Sequence, residues 1–266
     1  MNKNNFLELQ NIYIQKLLEN NKNVSIGKIG ANELNSIINL DVNQNFLFYN
    51  VGIFPNNKDI MKKYLNLLKL AIKDLDIIAI WGNNLNLQKQ LSNNKSVKVE
   101  LRALEPYYHN NFWSKILYNK KVLVISPFTD TITEQYKKKD LIWNNNILPK
   151  FHLITLKFPL SHGLLNTGYE SFLDLLNNYK DKIKEINFDI ALIGCGGYSL
   201  LLCQYIKLLN KSAFHLGGAL QILFGIKGGR WDNHEVISNF FNKYWVRPNK
   251  NETPKNKNII EDSAYW

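Results

Sequence analysis

The 266-residue chain reads as an α/β protein of the Rossmann-like, doubly wound kind, a mostly parallel sheet with helices on both faces. Three observations predict this. Short β-branched, apolar runs recur along the chain and read as buried strands. Longer segments of helical period alternate with them, which is the pattern of strand, crossover helix and parallel strand. No long Pro, Gly or Ser linker divides the chain, and no repeat with a period of about 20 to 50 residues appears.

Taken in order, Phe6 to Leu18 places its apolar residues at helical spacing. "VSIGKIG" follows as the first strand, ending at Gly30, with Asn32 and Glu33 opening the next helix. Asp59 to Lys73 is a second amphipathic helix and "DIIAIW" a second strand. "ALEPYYHNNFWSKIL" connects these elements to the strand "KVLVIS", and its length leaves a two-lobed arrangement open. That strand ends at Ser126, Pro127 makes the bend, and Thr129 or Asp130 can cap a helix running to Trp143. Gln135 and Tyr136, one turn on, face either a cleft or the solvent. "FHLITL" is the next strand and Tyr169 to Ile186 the next helix. Asp189 to Ile193 then forms a strand, Gly194 to Gly197 a turn and Tyr198 to Leu209 a helix, before a last strand in "SAFHLG". One domain over residues 1–266 is the simplest organisation. Residues 247–266 form a weakly periodic tail, whose Tyr265 and Trp266 suggest that it packs back on the body.

Composition narrows the class. The chain is 45% hydrophobic and 12% aromatic, hence globular, and has neither a run of about 20 apolar residues nor a signal-peptide pattern at its start. A soluble, cytoplasmic protein is expected. Cys195 and Cys203 lie in one apolar segment without a metal-ligand framework and read as buried free thiols. The formal charge of +11 suits an anionic partner. The lysines are scattered, however, and no interleaved basic and aromatic stripe supports nucleic acid as that partner. The aromatic content alone suggests a homodimer.

In an open parallel sheet, ligands bind outside the carboxyl ends of the strands. Four such ends carry polar or glycine-rich turns. Gly194, Gly196 and Gly197, with Tyr198 opening the helix, form either a ligand loop or a tight corner, for they match neither a dinucleotide fingerprint nor a P-loop. His215, Gly217 and Gly218 stand at the same level one strand later, with Gln221 able to read a polar edge and Arg230 able to neutralise charge. The alternatives are a structural histidine and an arginine stacked on Trp231. Ser126 and Gly30 end the other two strands. Glu33 there meets a helix dipole, a cation or a sugar hydroxyl.

Together these segments resemble a known pattern. "KIGANEL" is similar to the Arg-x-Gly-Asp-Gly-Glu-Leu segment of GT-D type glycosyltransferases, a Rossmann-like class, and "DIALIGCGGYSLLL" with "AFHLGGALQ" resembles its glycine-rich and His-Gly strand ends. "ALEPYY", "VLVISPFTDTITEQY", "HLGGALQILFGIKGGRW" and "IEDSAYW" resemble a group found in bacterial and giant-virus glycan gene sets, and that likeness covers most of the chain. The resemblance implies transfer of a sugar from a nucleotide-diphosphate sugar, a UDP-sugar first among them, to a glycan or other hydroxyl acceptor. It puts Glu33 at the motif's Glu and Asn32 at the intervening position. Ala31 stands where a metal-binding Asp is expected, so a Mn²⁺ or Mg²⁺ site at Glu33 would be weakened. Glu33 or an acid of the tail, Glu261 or Asp262, is the expected general base. A non-catalytic nucleotide-sugar or sugar-phosphate binding protein is the alternative that Ala31 favours.

Overall fold

Seven strands of four to six residues pair in parallel throughout: β1 (Ser25–Lys28), β2 (Ile77–Ile80), β3 (Val97–Glu100), β4 (Lys121–Ser126), β5 (His152–Lys157), β6 (Ile190–Ile193) and β7 (Ser212–His215). Their order across the sheet is β3-β2-β1-β7-β6-β4-β5. The computed structural model describes residues 3–21, 23–162 and 165–266. All six strands read from the sequence are present. β3 was not anticipated, because "VKVE" carries charged residues at every second position and sits at a sheet edge, where little burial marks it.

The helices are α1 (Lys3–Asn20), α2 (Ala31–Ile38), α3 (Leu40–Phe46), α4 (Lys58–Lys73), α5 (Leu85–Leu91), α6 (Thr129–Tyr136), α7 (Lys139–Ile142), α8 (Phe172–Lys184), α9 (Ser199–Leu208) and α10 (Ala219–Leu223). Successive strand residues point to opposite faces, and the core divides accordingly. Val122 and Val124 of β4 join one apolar cluster with Ile14, Ile132, Phe224 and Trp266. Leu123 and Ile125 join the other with Leu68, Leu175 and Leu202. Both faces are therefore covered, as the doubly wound reading requires.

Right-handed crossovers tie the direction of each step across the sheet to the face its helix takes. β1 to β2, β5 to β6 and β6 to β7 step the same way, and their helices α4, α8 and α9 bury residues in the same cluster. β4 to β5 steps the other way, and Ile132 of α6 lies in the opposite cluster. The chain consequently leaves β4 and β7 towards one face and leaves β6 and β1 towards the other. Four adjacent strand ends are split open at the carboxyl edge, where such sheets bind ligands.

The single helix expected from Thr129 to Trp143 is two, broken at Lys137 and Lys138. Neither Thr129 nor Asp130 caps it with a side chain. Glu252, 2% exposed, does so from the tail, accepting the N–H groups of Asp130 (2.7 Å) and Thr131 (3.2 Å) and the Thr131 hydroxyl. Gln135 and Tyr136 face neither a cleft nor open solvent. Gln135 donates to the carbonyls of Gly225 and Tyr244, and the Tyr136 hydroxyl bonds the backbone of Phe151. Residues of the tail pack inward. Ile260 and Trp266 are buried, the Trp266 indole donates to the Glu252 carbonyl (2.9 Å), and the N–H of Gly229 donates to the Trp266 carbonyl (3.1 Å). Cys195 and Cys203 are buried free thiols, as expected, and burial pushes the Cys195 thiol up to about 12. Among the described residues, no helix is long and apolar enough to cross a membrane.

Candidate functional site

The split strand ends border a cleft of about 350 Å³, which collects the ends of β1, β4, β6 and β7 together with Glu261, Tyr265 and Trp266 of the tail. Gly30, Asn32, Glu33, Ser126, Gly194, Gly196, Gly197, His215, Gly217, Gly218, Gln221 and Arg230 all line it. Tyr198 does not. Its ring is buried beside Phe158 and its hydroxyl donates to the Gly52 carbonyl (2.9 Å), so it anchors the loop rather than meeting a ligand.

Two of the glycine N–H groups are engaged within the fold. The N–H of Gly194 is taken by the Ile125 carbonyl (2.9 Å) and that of Gly217 by the Ile193 carbonyl (3.3 Å), extending the sheet pattern past the strands. Their small size is used for contact. A Cβ at Gly194 would lie 2.9 Å from the Gly217 carbonyl oxygen, and one at Gly197 would collide with Val51 Cγ1. Gly196 and Gly217 both have φ +59°, a left-handed turn that side chains disfavour. Gly-Cys-Gly-Gly is thus a tight corner that also forms a cleft wall. Ser126 likewise holds its own turn, its hydroxyl accepting the Phe128 N–H (3.2 Å).

Charge in the cleft is mixed and organised. Arg230 pairs with Glu261 and lies over the Tyr265 ring, 4.6 Å from its centroid. The Asn32 amide donates to the same Glu261 (3.3 Å). Glu33 folds back over Gly30, so close that a Cβ there would meet its carboxylate. Burial holds Glu33 above the ordinary carboxylate range, against the pull of its own backbone N–H and of Lys28. Lys28, which the sequence reading did not single out, reaches into the cleft from the last position of β1 with its ammonium 4.9 Å above the Trp81 ring. A cation at the end of a buried strand, two residues before Gly30, is the signal that would have found it.

The chain matches no known family model, curated protein or solved structure. What the cleft can hold therefore rests on its own chemistry. Three buried polar atoms of its lining residues lack a hydrogen-bond partner among the described residues: His162 Nδ1, His215 Nδ1 and the Gln221 side-chain oxygen. Buried groups left unpaired in this way are costly, and a polar ligand would satisfy them. Burial pulls His215 down to about 3, with Lys28 adding to the effect, and His162 down to about 4. Both imidazoles are accordingly neutral near pH 7 and offer one donor and one acceptor each. Gln221 is fixed by its amide donating to the Tyr265 carbonyl (3.0 Å), which leaves its oxygen to accept from a hydroxyl or N–H.

A divalent ion fits these residues poorly. Among the described residues, no group of three or more His, Cys, Asp or Glu converges on a metal-sized site. Of the two acids in the cleft, Glu261 is committed to Arg230 and Asn32, and position 31 offers a methyl group. Hard cations need about six oxygens, several of them anionic. The described residues of the cleft supply too few for a Mn²⁺ or Mg²⁺ site of their own.

Proposed function

We propose that the chain is a cytoplasmic glycosyltransferase that binds a nucleotide-diphosphate sugar in the cleft and passes the sugar to a hydroxyl acceptor. One observation carries this reading: the segments that resemble GT-D type enzymes all border a single cleft at the split carboxyl edge of the sheet. In the proposed step the acceptor oxygen forms a bond to the anomeric carbon. The bond from that carbon to the diphosphate oxygen breaks, its electron pair leaves with the diphosphate, and the acceptor proton passes to Glu33. A carboxylate held above its usual range by burial is a better base at neutral pH than a solvated one. Glu261 serves this role less well, since Arg230 and the Asn32 amide occupy its oxygens. The unpartnered Gln221 oxygen and the neutral His215 and His162 suit sugar or ribose hydroxyls.

Thermal-shift screening against UDP-, GDP-, CMP- and dTDP-sugars, with and without Mn²⁺, tests the reading. One nucleotide class should raise the melting temperature. Glu33→Ala should keep that shift and lose release of the nucleotide, by about 100-fold or more, as expected for loss of a general base. No shift with any donor sinks the proposal. The presence of alanine at position 31 favours one second reading, a non-catalytic nucleotide-sugar binding protein. Binding without nucleotide release for any acceptor would select it.

A further inference from the structure

The glycine turn after β7 has a cation on either side. On one side, Lys28 Nζ lies 3.7 Å from where a Cβ on Gly217 would be, so glycine there leaves the ammonium uncovered. On the other, Tyr265 approaches the Cβ position of Gly218 to 3.7 Å and carries the Arg230 guanidinium over its ring. Arg230 has a carboxylate partner within the fold, Glu261, whereas the Lys28 ammonium has the Trp81 face as its neighbour. Among the described residues, Lys28 makes no ion pair within 4.0 Å. A half-buried ammonium with no carboxylate at ion-pair distance is unfavourable, and burial does hold Lys28 below its ordinary range, with Glu33, Glu105 and Glu261 opposing the shift from further off. An anionic ligand seated over Gly217 and Gly218 would remove that cost.

We infer that Lys28 binds the diphosphate of the donor directly and without a divalent cation, Arg230 joining it as the anion displaces Glu261. This rests on the transferase reading for the identity of the ligand, while the anion site itself stands on the geometry of the turn. The two cations take the place of the metal that the acids of the cleft are too few to hold. Glu261 acts as an internal stand-in for the ligand, keeping Arg230 neutralised while the cleft is free.

Calorimetric titration of the full chain in EDTA separates the two claims, with inorganic pyrophosphate and the nucleoside diphosphates UDP and GDP as probes. Pyrophosphate should bind without metal. Lys28→Met should weaken it by about 10-fold or more, the size of a lost charge-assisted hydrogen bond, and Lys28→Arg should restore most of the affinity. Glu261→Gln should tighten binding by about 3-fold, because Arg230 no longer has to be released; unchanged or weaker binding overturns the part given to Arg230. Replacing EDTA with Mn²⁺ should change the affinity for the nucleoside diphosphates by less than about 3-fold. The inference is overturned if pyrophosphate fails to bind in EDTA, if folded Lys28→Met binds like the wild type, or if nucleoside diphosphates bind only with Mn²⁺. Should Lys28→Met not fold, Lys28→Arg and Glu261→Gln decide: no gain with Glu261→Gln together with no metal-free binding by Lys28→Arg overturns it. Metal-free, Lys28-dependent pyrophosphate binding with no nucleotide binding keeps the anion site and sinks the transferase reading.

Discussion

At the scale of single residues, the cleft concentrates ionisable groups whose protonation burial has moved. Glu105, in the connection before β4 and outside the cleft's lining, shows the same effect most clearly. Burial raises its carboxyl from the ordinary 4.5 to about 7, with Lys28 and Arg102 opposing the shift. Between those two values the folded chain holds a proton that the unfolded chain has released, so stability falls as pH rises through the window. Glu105→Gln removes the effect. Its stability relative to the wild type should grow between about pH 5 and pH 8, by up to about 3 kcal/mol, in urea unfolding measured at both pH values. A difference that stays constant with pH would count against the burial of this carboxyl. Position in the sequence showed that His215 stands at a strand end and that Glu33 and Gln221 follow within a few residues of one, because local pattern locates strand ends. It did not show that Glu261 holds Arg230, since that pairing joins residues 31 apart and depends on the path of the tail.

Among the elements, α6 has an origin that local sequence conceals. Thr129 and Asp130 have the right chemistry for a cap, yet Asp130 is drawn to Lys157 (2.7 Å) and the capping oxygens come from Glu252, 121 and 122 residues away. Helix caps can be read when they are local; a cap contributed by a distant carboxylate cannot. Glu252→Gln should lower stability by about 1–3 kcal/mol, the cost of weakening buried bonds to a charged acceptor, with unfolding by urea as the measurement. A change within about 0.5 kcal/mol would show that the carboxylate does not hold α6. The strands show the complementary lesson. β4, β6 and β7 were legible because their middles are continuous apolar runs, as central parallel strands buried on both faces must be, whereas β3 at the edge is half polar.

For the molecule as a whole, the doubly wound plan was legible because strand and helix periods differ and each strand is followed by a helix. The order of the strands was not, for periodicity carries no information about which neighbour a strand chooses. The tail joins the two levels. Trp266 packs edge-on against Phe128, with ring centroids 6.0 Å apart, and borders the cleft while its indole holds the Glu252 segment. Trp266→Ala should therefore lower stability by about 3–5 kcal/mol, as for other buried aromatic truncations, and should weaken any ligand bound in the cleft. A thermal melt and a titration on the same variant check both; a melting temperature equal to that of the wild type would show that the tail is not part of the core.

The position of β1 between β2 and β7 also bears on how the protein is made. β1 is matched on one side by β2, which follows about 50 residues later, but its other edge waits for β7, with Ser25 opposite Ala213. At roughly 5–20 residues per second, the ribosome delivers that partner on the order of ten to forty seconds after β1 itself has been made. During that interval one edge of the strand stands with a row of unpaired N–H and C=O groups, able to take a strand from another nascent chain. Residues 25–28, an interior strand of the finished sheet, are thus a stretch in need of a chaperone's cover during synthesis.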